Sequence, residues 1–197
     1  MEHHFFAYIS RMRYIQRWGL MRNTYSENDL EHSMQAAFFA HAIAVIGVKR
    51  YHRAYSPERI MAMAAYHDAT EVITGDMPTP VKYHHSEMKD QFSRMEELAE
   101  GRLLSMLPND LRPSFEPLIC HDESLQEWQI VKAADKICAY VKCLEEKKVG
   151  NSEFEMARRS IKKTLDRMDL PEVQDFITEF VPGFSLSLDE ISEMDDK

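Results

Sequence analysis

Four residues in this chain have the types and setting to hold one divalent cation: His32, the doublet His67-Asp68, and Asp135. Imidazole and carboxylate together suit Mn, Fe, Co, Ni or Zn, and the ligand set alone does not choose among them. Each of the four falls where helical spacing calls for a packed face. His32 shares a stripe with Ala36, Phe39 and Ile43, and Asp135 lies between Val131 and Cys138. After Ser56, the neighbouring stripes of Ile60 and Ala64 and of Met61 and Ala65 turn polar at His67, Asp68 and Glu71, close enough to project into one pocket. Taken singly, a buried histidine is more often a hydrogen-bonded core residue, and Asp135 could pair with Lys132 or Lys136. Taken together, two buried imidazoles and two buried carboxylates become tolerable if they converge on a cation, because an unpaired buried carboxylate is strongly destabilising.

The elements that must position these residues are helices. A first helix is expected over Phe5–Arg17, then a loop from Trp18 to Glu27 broken by Gly19, Asn23 and Ser26. Asp29 caps a helix from Leu30 to Ile46 that Gly47 stops; it is apolar nearly all round, as a central helix of a bundle would be. Ser56-Pro57 starts a helix expected to run to Ile73 and end at Gly75. The stretch Asp76-Met77-Pro78-Thr79-Pro80 cannot be helix interior, since each proline restricts the residue before it. Further helices are predicted at Ser86–Met106, Leu125–Lys147, Ser152–Arg167 and Pro171–Phe180. No strand pattern emerges, so the expected fold is all-α, an irregular helical bundle forming one domain over residues 1–197.

Composition narrows the function classes. The chain has 197 residues, 44% of them apolar, and only six glycines, enough to bury a core and too apolar for disorder. A net charge of −9, no long Lys/Arg run and an acidic tail from Met194 to Lys197 argue against a nucleic-acid polymer as partner. Three cysteines without a CxxC pair suit reduced thiols in the cytoplasm. No signal-peptide pattern opens the chain. The longest apolar run, from Ala36 to Val48, contains His41 and is too short to span a membrane.

Beyond the metal-ligand types, longer stretches carry a family resemblance. His32, His67-Asp68 and Asp135 resemble the H…HD…D set that names the HD domain, a helical metal-dependent phosphohydrolase fold. Arg17-Trp18-Gly19-Leu20-Met21-Arg22-Asn23, Glu31-His32-Ser33, Tyr66-His67-Asp68-Ala69-Thr70-Glu71, Gly75-Asp76-Met77-Pro78-Thr79-Pro80-Val81-Lys82, Lys132-Ala133-Ala134-Asp135 and Phe184-Ser185-Leu186-Ser187-Leu188-Asp189-Glu190-Ile191 are similar to signatures of bacterial 5′-deoxynucleotidases. The resemblance covers nearly the whole chain. It implies that His32, His67, Asp68 and Asp135 bind one divalent ion (Co, Mn, Ni, Zn, Fe or Mg). It further implies that a homodimer hydrolyses deoxyribonucleoside 5′-monophosphates to deoxynucleoside and phosphate. After Pro117-Leu118-Ile119 the pattern departs: relatives place acidic residues where this chain has Cys120-His121 before Asp122 and Glu123.

Roles follow from the chemistry such a reaction needs. Glu71, one turn from His67, could orient or deprotonate the attacking water. Asp76 could protonate the leaving 5′ oxygen or hold the 3′-hydroxyl. Arg17 offers a planar fork for phosphate, and Trp18 could exclude a 2′-hydroxyl by crowding; without the resemblance the pair reads as a helix-end cation beside a core aromatic. Asp68, Asp135, Met77, Pro78 and Thr79 complete the expected substrate contacts. His3, His4, His41, His52, His84, His85 and His121 are taken as structural or exposed, with a second metal site at His84-His85 the less favoured reading. An HD hydrolase of another nucleotide and a non-catalytic, metal-dependent nucleotide sensor are the alternatives.

Overall fold

The protein is described here from a computed structural model, which covers residues 3–78, 85–122 and 124–194. It is all-α, and among the described residues the β-type pairing is a single isolated bridge between Gln16 and Asn28. The α-helices are α1 (Phe5–Ile9), α2 (Asp29–Tyr51), α3 (Pro57–Tyr66), α4 (Glu71–Thr74), α5 (Ser86–Ser105), α6 (Arg112–Ile119), α7 (Gln126–Lys148), α8 (Glu155–Leu165), α9 (Pro171–Phe180) and α10 (Leu188–Met194). Short 3-10 turns cover Ser10–Tyr14, Ser152–Phe154 and Val181–Ser185.

Helix α2 is the axis of the bundle and packs on α3, α7 and α9. Its small buried residues Ala36, Ala37, Ala40 and Ala44 let those helices approach closely, while Ile43, Ile60, Ile130 and Ile137 fill the space between them. Each fully buried side chain of that size contributes roughly 1.5–3 kcal/mol of transfer free energy. A second cluster of Phe5, Ala69, Leu103, Leu107 and Ile119 joins α1, α5 and α6 to the segment after α3.

Several boundaries differ from the sequence expectation, each for a local reason. Asn28, not Asp29, caps α2: its Oδ1 accepts from the backbone N–H groups of Leu30 and Glu31, both at 3.1 Å. That shift leaves Asp29 free to turn inward. Gly47 does not stop α2, which continues to Tyr51 and ends on His52 in the left-handed region (φ 54°). A Cβ at Gly47 would meet the Tyr55 ring at 2.8 Å, so the glycine seats an aromatic ring. The first helix ends at Ile9, and the chain is extended by Ile15. Arg17 therefore leaves an extended segment, its N–H donating to the Glu27 carbonyl at 3.0 Å. The prolines at 113 and 117 hid α6, where Pro113 occupies the first turn and Pro117 lies inside a helix of 8 residues.

The break that matters most falls after Tyr66. The His67 Nδ1 lies 2.7 Å from the Ala64 carbonyl, so a side chain takes an acceptor the α-helical ladder would use. Turns of i→i+3 type follow, with Ala69 N to Tyr66 O at 2.9 Å and Glu71 N to Asp68 O at 3.0 Å. Instead of one helix to Ile73, the chain makes α3, a tight turn and the four-residue α4, closed by Gly75 at φ 73°. His67 and Asp68 are thus presented from a turn.

The loop between Arg17 and α2 is held by a buried ion pair on α7. Lys142 donates to Glu146 at 2.6 Å and to the carbonyl of Tyr25. Glu146 also accepts from Thr24 Oγ1 at 2.5 Å and Asn151 Nδ2 at 2.7 Å. Burial works against its charge, but these donors outweigh burial and hold the carboxyl down at about 2. Because the folded value lies below the ordinary 4.5, its contribution to stability is present above that pH and is lost as pH falls toward 2. Glu146→Ala leaves Lys142 buried and unpaired and is expected to cost about 3 kcal/mol, lowering Tm by roughly 6–12 °C at pH 7. The gap from wild type should narrow at pH 3. Melts that coincide at pH 7 would show that the loop is anchored elsewhere.

Candidate active site

His32 stands in the first turn of α2, His67 and Asp68 in the turn after α3, and Asp135 near the middle of α7, so three elements of the central bundle meet at one point. His32 Nε2 lies 3.2 Å from Asp135 Oδ1 and 3.6 Å from Asp68 Oδ2. His67 Nε2 lies 3.2 Å from Asp68 Oδ2, and the two rings are 5.3 Å apart. Both Nε2 atoms are buried and lack hydrogen-bond geometry to any partner. Both Nδ1 atoms face acceptors, Glu27 Oε1 at 3.1 Å for His32 and the Ala64 carbonyl at 2.7 Å for His67. A proton on each Nδ1, facing those acceptors, would leave the Nε2 lone pairs for an ion. Burial and Arg17 oppose a second proton on His32, but Asp135, Glu27 and Asp68 outweigh them and raise it to about 9. Ligand atoms of His32, His67 and Asp135 all lie within 4.8 Å of one another. These residues fit a divalent ion, with two nitrogens and carboxylate oxygen as its donors.

The electrostatics are lopsided. Arg17 donates to Asp68 Oδ2 at 2.8 Å and lies 3.7 Å from Asp29, 3.8 Å from Asp135 and 3.9 Å from Glu27. Burial opposes its charge, but Asp68, Asp135, Glu27 and Glu71 outweigh that and hold it charged. Burial pushes Asp68 and Asp135 up, yet His67 and Arg17 bring Asp68 below the ordinary carboxyl value, and His32 does the same for Asp135. Glu71 has no such partner: burial, then the charges of Asp68 and Asp29, push it up to about 11. Burial also raises Asp76. The site therefore pairs ionised Asp68 and Asp135 with a neighbouring carboxyl that holds its proton.

Beside this centre opens a cavity of about 590 Å³, within the size range of small-molecule sites. Arg17, Trp18, Asp76, Pro78 and Asp135 face it from one side, and Ala157 and Ile161 of α8 from the other. Met77 lines a different cavity with Met88 and Phe92 of α5. Thr79 and His84 lie outside the described residues, and His85 precedes α5 as its N-cap residue.

Comparison with known proteins bears on what this centre belongs to. The 5′-deoxynucleotidase YfbR-like family matches residues 4–184. The chain belongs to that family. It is 50% identical over 192 residues to the 5′-deoxynucleotidase of Vibrio atlanticus, covering 97% of this chain and 99% of that one. It is likewise 50% identical over 190 residues to a 5′-deoxynucleotidase of Photorhabdus temperata, covering 96% of each. Among solved structures, an HD-domain phosphohydrolase from Listeria innocua superposes with TM-score 0.79 at 22% identity, over 91% of this chain and 87% of that chain. An HD phosphohydrolase of cyanophage S-2L, described as bound to dA and one catalytic zinc ion, has TM-score 0.60 at 22% identity, over 91% and 95%. The fold is thus that of the HD-domain phosphohydrolases.

This 5′-deoxynucleotidase-family chain also uses residues that helical spacing did not reveal. Glu27 contacts His32, Arg17 and Trp18. His121 reaches Glu100 on α5 at 2.8 Å and the His67 carbonyl at 3.1 Å, and packs on Trp128 with ring centroids 4.6 Å apart. It therefore braces the backbone of the His67 turn from the segment after α6. Asp29 is fully buried with both carboxylate oxygens lacking a hydrogen bond.

Burial, opposed in part by Glu71 and Arg17, raises Asp29 to about 7. A folded value above the ordinary 3.8 makes the ionised group destabilising, with the cost growing as pH rises from 3.8 to about 7 and constant above. In metal-free protein, Asp29→Asn should raise stability by about 2 kcal/mol at pH 8, with the advantage shrinking at pH 5. Denaturant titrations at both pH values test this; a variant less stable than wild type at pH 8 would contradict it.

Proposed function

We propose that this family member hydrolyses deoxyribonucleoside 5′-monophosphates to deoxyribonucleoside and inorganic phosphate, with one divalent ion held by His32, His67, Asp68 and Asp135. The observation that carries the reading is the pair of buried, unpartnered imidazole Nε2 atoms facing Asp68 and Asp135, next to a cavity of nucleotide size. The curated names of relatives at 50% identity and the dA and zinc of the cyanophage neighbour support the same substrate and cofactor class. Mn, Fe, Co, Ni and Zn all suit the donor set, and Mg suits it less. When bound, the ion supplies Lewis acidity to the phosphate and lowers the pKa of a water.

The chain's own residues then have separable tasks. Arg17 presents its guanidinium to the phosphate, exchanging part of its contact with Asp68 for phosphate oxygens. Glu71 accepts the proton of the attacking water: its carboxyl already has a raised proton affinity, and a nearby dication would keep it ionised until that proton arrives. Asp76, also raised by burial, delivers a proton to the leaving 5′ oxygen or holds the 3′-hydroxyl. Trp18 crowds the 2′ position of the sugar, and Pro78 borders the nucleotide.

The active unit is a homodimer, a reading supported by the exposed Met34 and Phe38, one turn apart on α2. A cytoplasmic setting is supported by the unpaired Cys120, Cys138 and Cys143. No helix among the described residues is long and apolar enough to cross a membrane.

Metal-stripped enzyme given Co, Mn or Zn should release phosphate from dAMP in preference to AMP. Trp18→Ala should cut that preference by at least roughly tenfold. Glu71→Gln should lower kcat by about 10²–10⁴ with metal affinity kept. A preference unchanged in Trp18→Ala removes the sugar-gate role, and near-normal turnover in Glu71→Gln removes the base. Absence of metal-dependent release from any deoxynucleotide overturns the proposal as a whole.

A further inference from the structure

Trp18 adopts φ 58°, the left-handed region that a bulky L residue enters only at a cost of roughly 1–3 kcal/mol. Something in the fold must hold it there. Its indole Nε1–H donates to Glu27 Oε2 at 3.0 Å, its ring meets Phe154 edge-on at 5.2 Å, and its carbonyl accepts from Met21 N at 2.9 Å and Asn23 Nδ2 at 3.3 Å. Of these contacts, the one to Glu27 leads toward the metal ligands. The other oxygen of the same carboxylate, Oε1, sits 3.1 Å from His32 Nδ1. Glu27 is 8% exposed, so water does little to compensate if either bond is lost.

We propose that Glu27 is a positioning residue that couples sugar discrimination to metal affinity, one oxygen fixing the Trp18 indole and the other fixing the tautomer and tilt of His32. The proposal rests on the deoxynucleotidase reading for its selectivity half and stands independently of it for its metal half. A carboxylate is a rigid planar group, so displacing one oxygen displaces the other. Both partners donate, Trp18 through Nε1–H and His32 through Nδ1–H, and a carboxylate accepts from both. A glutamine of the same shape cannot, because its amide offers one acceptor oxygen and one NH₂ donor. Glu27→Gln must therefore place a donor against a donor at one end, or rotate and lose both contacts. Trp18→Phe keeps an aromatic ring against Phe154, removes only the N–H, and leaves Oε2 without its partner.

The experiment titrates metal-stripped, full-length protein with Co²⁺ by calorimetry, and in parallel measures kcat/KM for dAMP and AMP. The variants are wild type, Glu27→Gln, Trp18→Phe and Trp18→Ala. Glu27→Gln is expected to weaken Co²⁺ binding by about tenfold or more and to lower the dAMP/AMP ratio as well. Trp18→Phe, altered at a residue that contributes no proposed metal ligand, is expected to weaken Co²⁺ binding by roughly threefold or more. A merely structural indole would lower Tm and leave Co²⁺ affinity alone. Co²⁺ affinity in Trp18→Phe within about twofold of wild type would overturn the coupling, and so would a Glu27→Gln enzyme with weakened metal binding but an unchanged ratio, provided Trp18→Ala does change that ratio. If Trp18→Ala leaves the ratio unchanged, the sugar-gate reading fails, and the Co²⁺ titration of Trp18→Phe still decides the metal half. Should Glu27→Gln not fold, Trp18→Phe carries the test alone.

Discussion

Glu27, Asp29, Asp68, Glu71, Asp76 and Asp135 crowd around one contacting guanidinium, that of Arg17, in a largely water-excluded space. Carboxylates packed that closely repel, and burial deprives them of hydration. Ionised Asp68 and Asp135 draw support from Arg17 and the histidines, while Glu71 and Asp29 retain protons more readily than free carboxyls. A bound dication would relieve the same imbalance, and the proposed reaction draws on it. A centre this rich in carboxylates can hold a metal ion and still keep a proton acceptor beside it. In the proposed reaction the phosphate dianion would find its positive partners in that ion and in Arg17.

The fold serves this centre by interrupting its own regularity. Helix α3 stops where His67 takes the Ala64 carbonyl, which turns Asp68 toward Arg17 and sets Glu71 at the start of α4. Asn28 takes over the cap of α2, so that Asp29 faces inward and His32 follows in the first turn. The loop bearing Arg17 and Trp18 is tied down by Glu146 and Lys142 at Thr24 and Tyr25 and by Glu27 at Trp18. Such sites commonly store local strain that the surrounding structure overdetermines, and Trp18 at positive φ is the instance here.

Much of this was legible in the sequence. Polar residues on otherwise apolar stripes marked His32, His67, Asp68 and Asp135, and the structure brings all four together with Arg17 and Glu71. The limits of α9 matched the helical pattern, and the start of α3 at Ser56-Pro57 followed from proline in the first turn. The helix break at His67 was not legible, because it depends on a side-chain bond to a backbone acceptor three residues back. Nor was the one-residue change of cap from Asp29 to Asn28, since both types cap well. Glu27 escaped notice, and His121 was taken as structural or exposed without its contacts, because their partners are set by tertiary contact and Glu100 is remote from His121 in sequence. Met77 shares the Pro loop with Pro78 yet faces α5, a difference of side-chain direction that no spacing rule supplies.

If the two imidazole nitrogens and their facing carboxylates form a single metal centre, one ion must touch all four residues. Anomalous diffraction from crystals grown with zinc or cobalt tests it most directly. One strong peak per chain is expected, about 2.0–2.2 Å from His32 Nε2, His67 Nε2 and an oxygen each of Asp68 and Asp135. A peak lodged instead among Asp29, Glu71 and Asp76, or at His84 and His85, with both Nε2 atoms unligated, would contradict it.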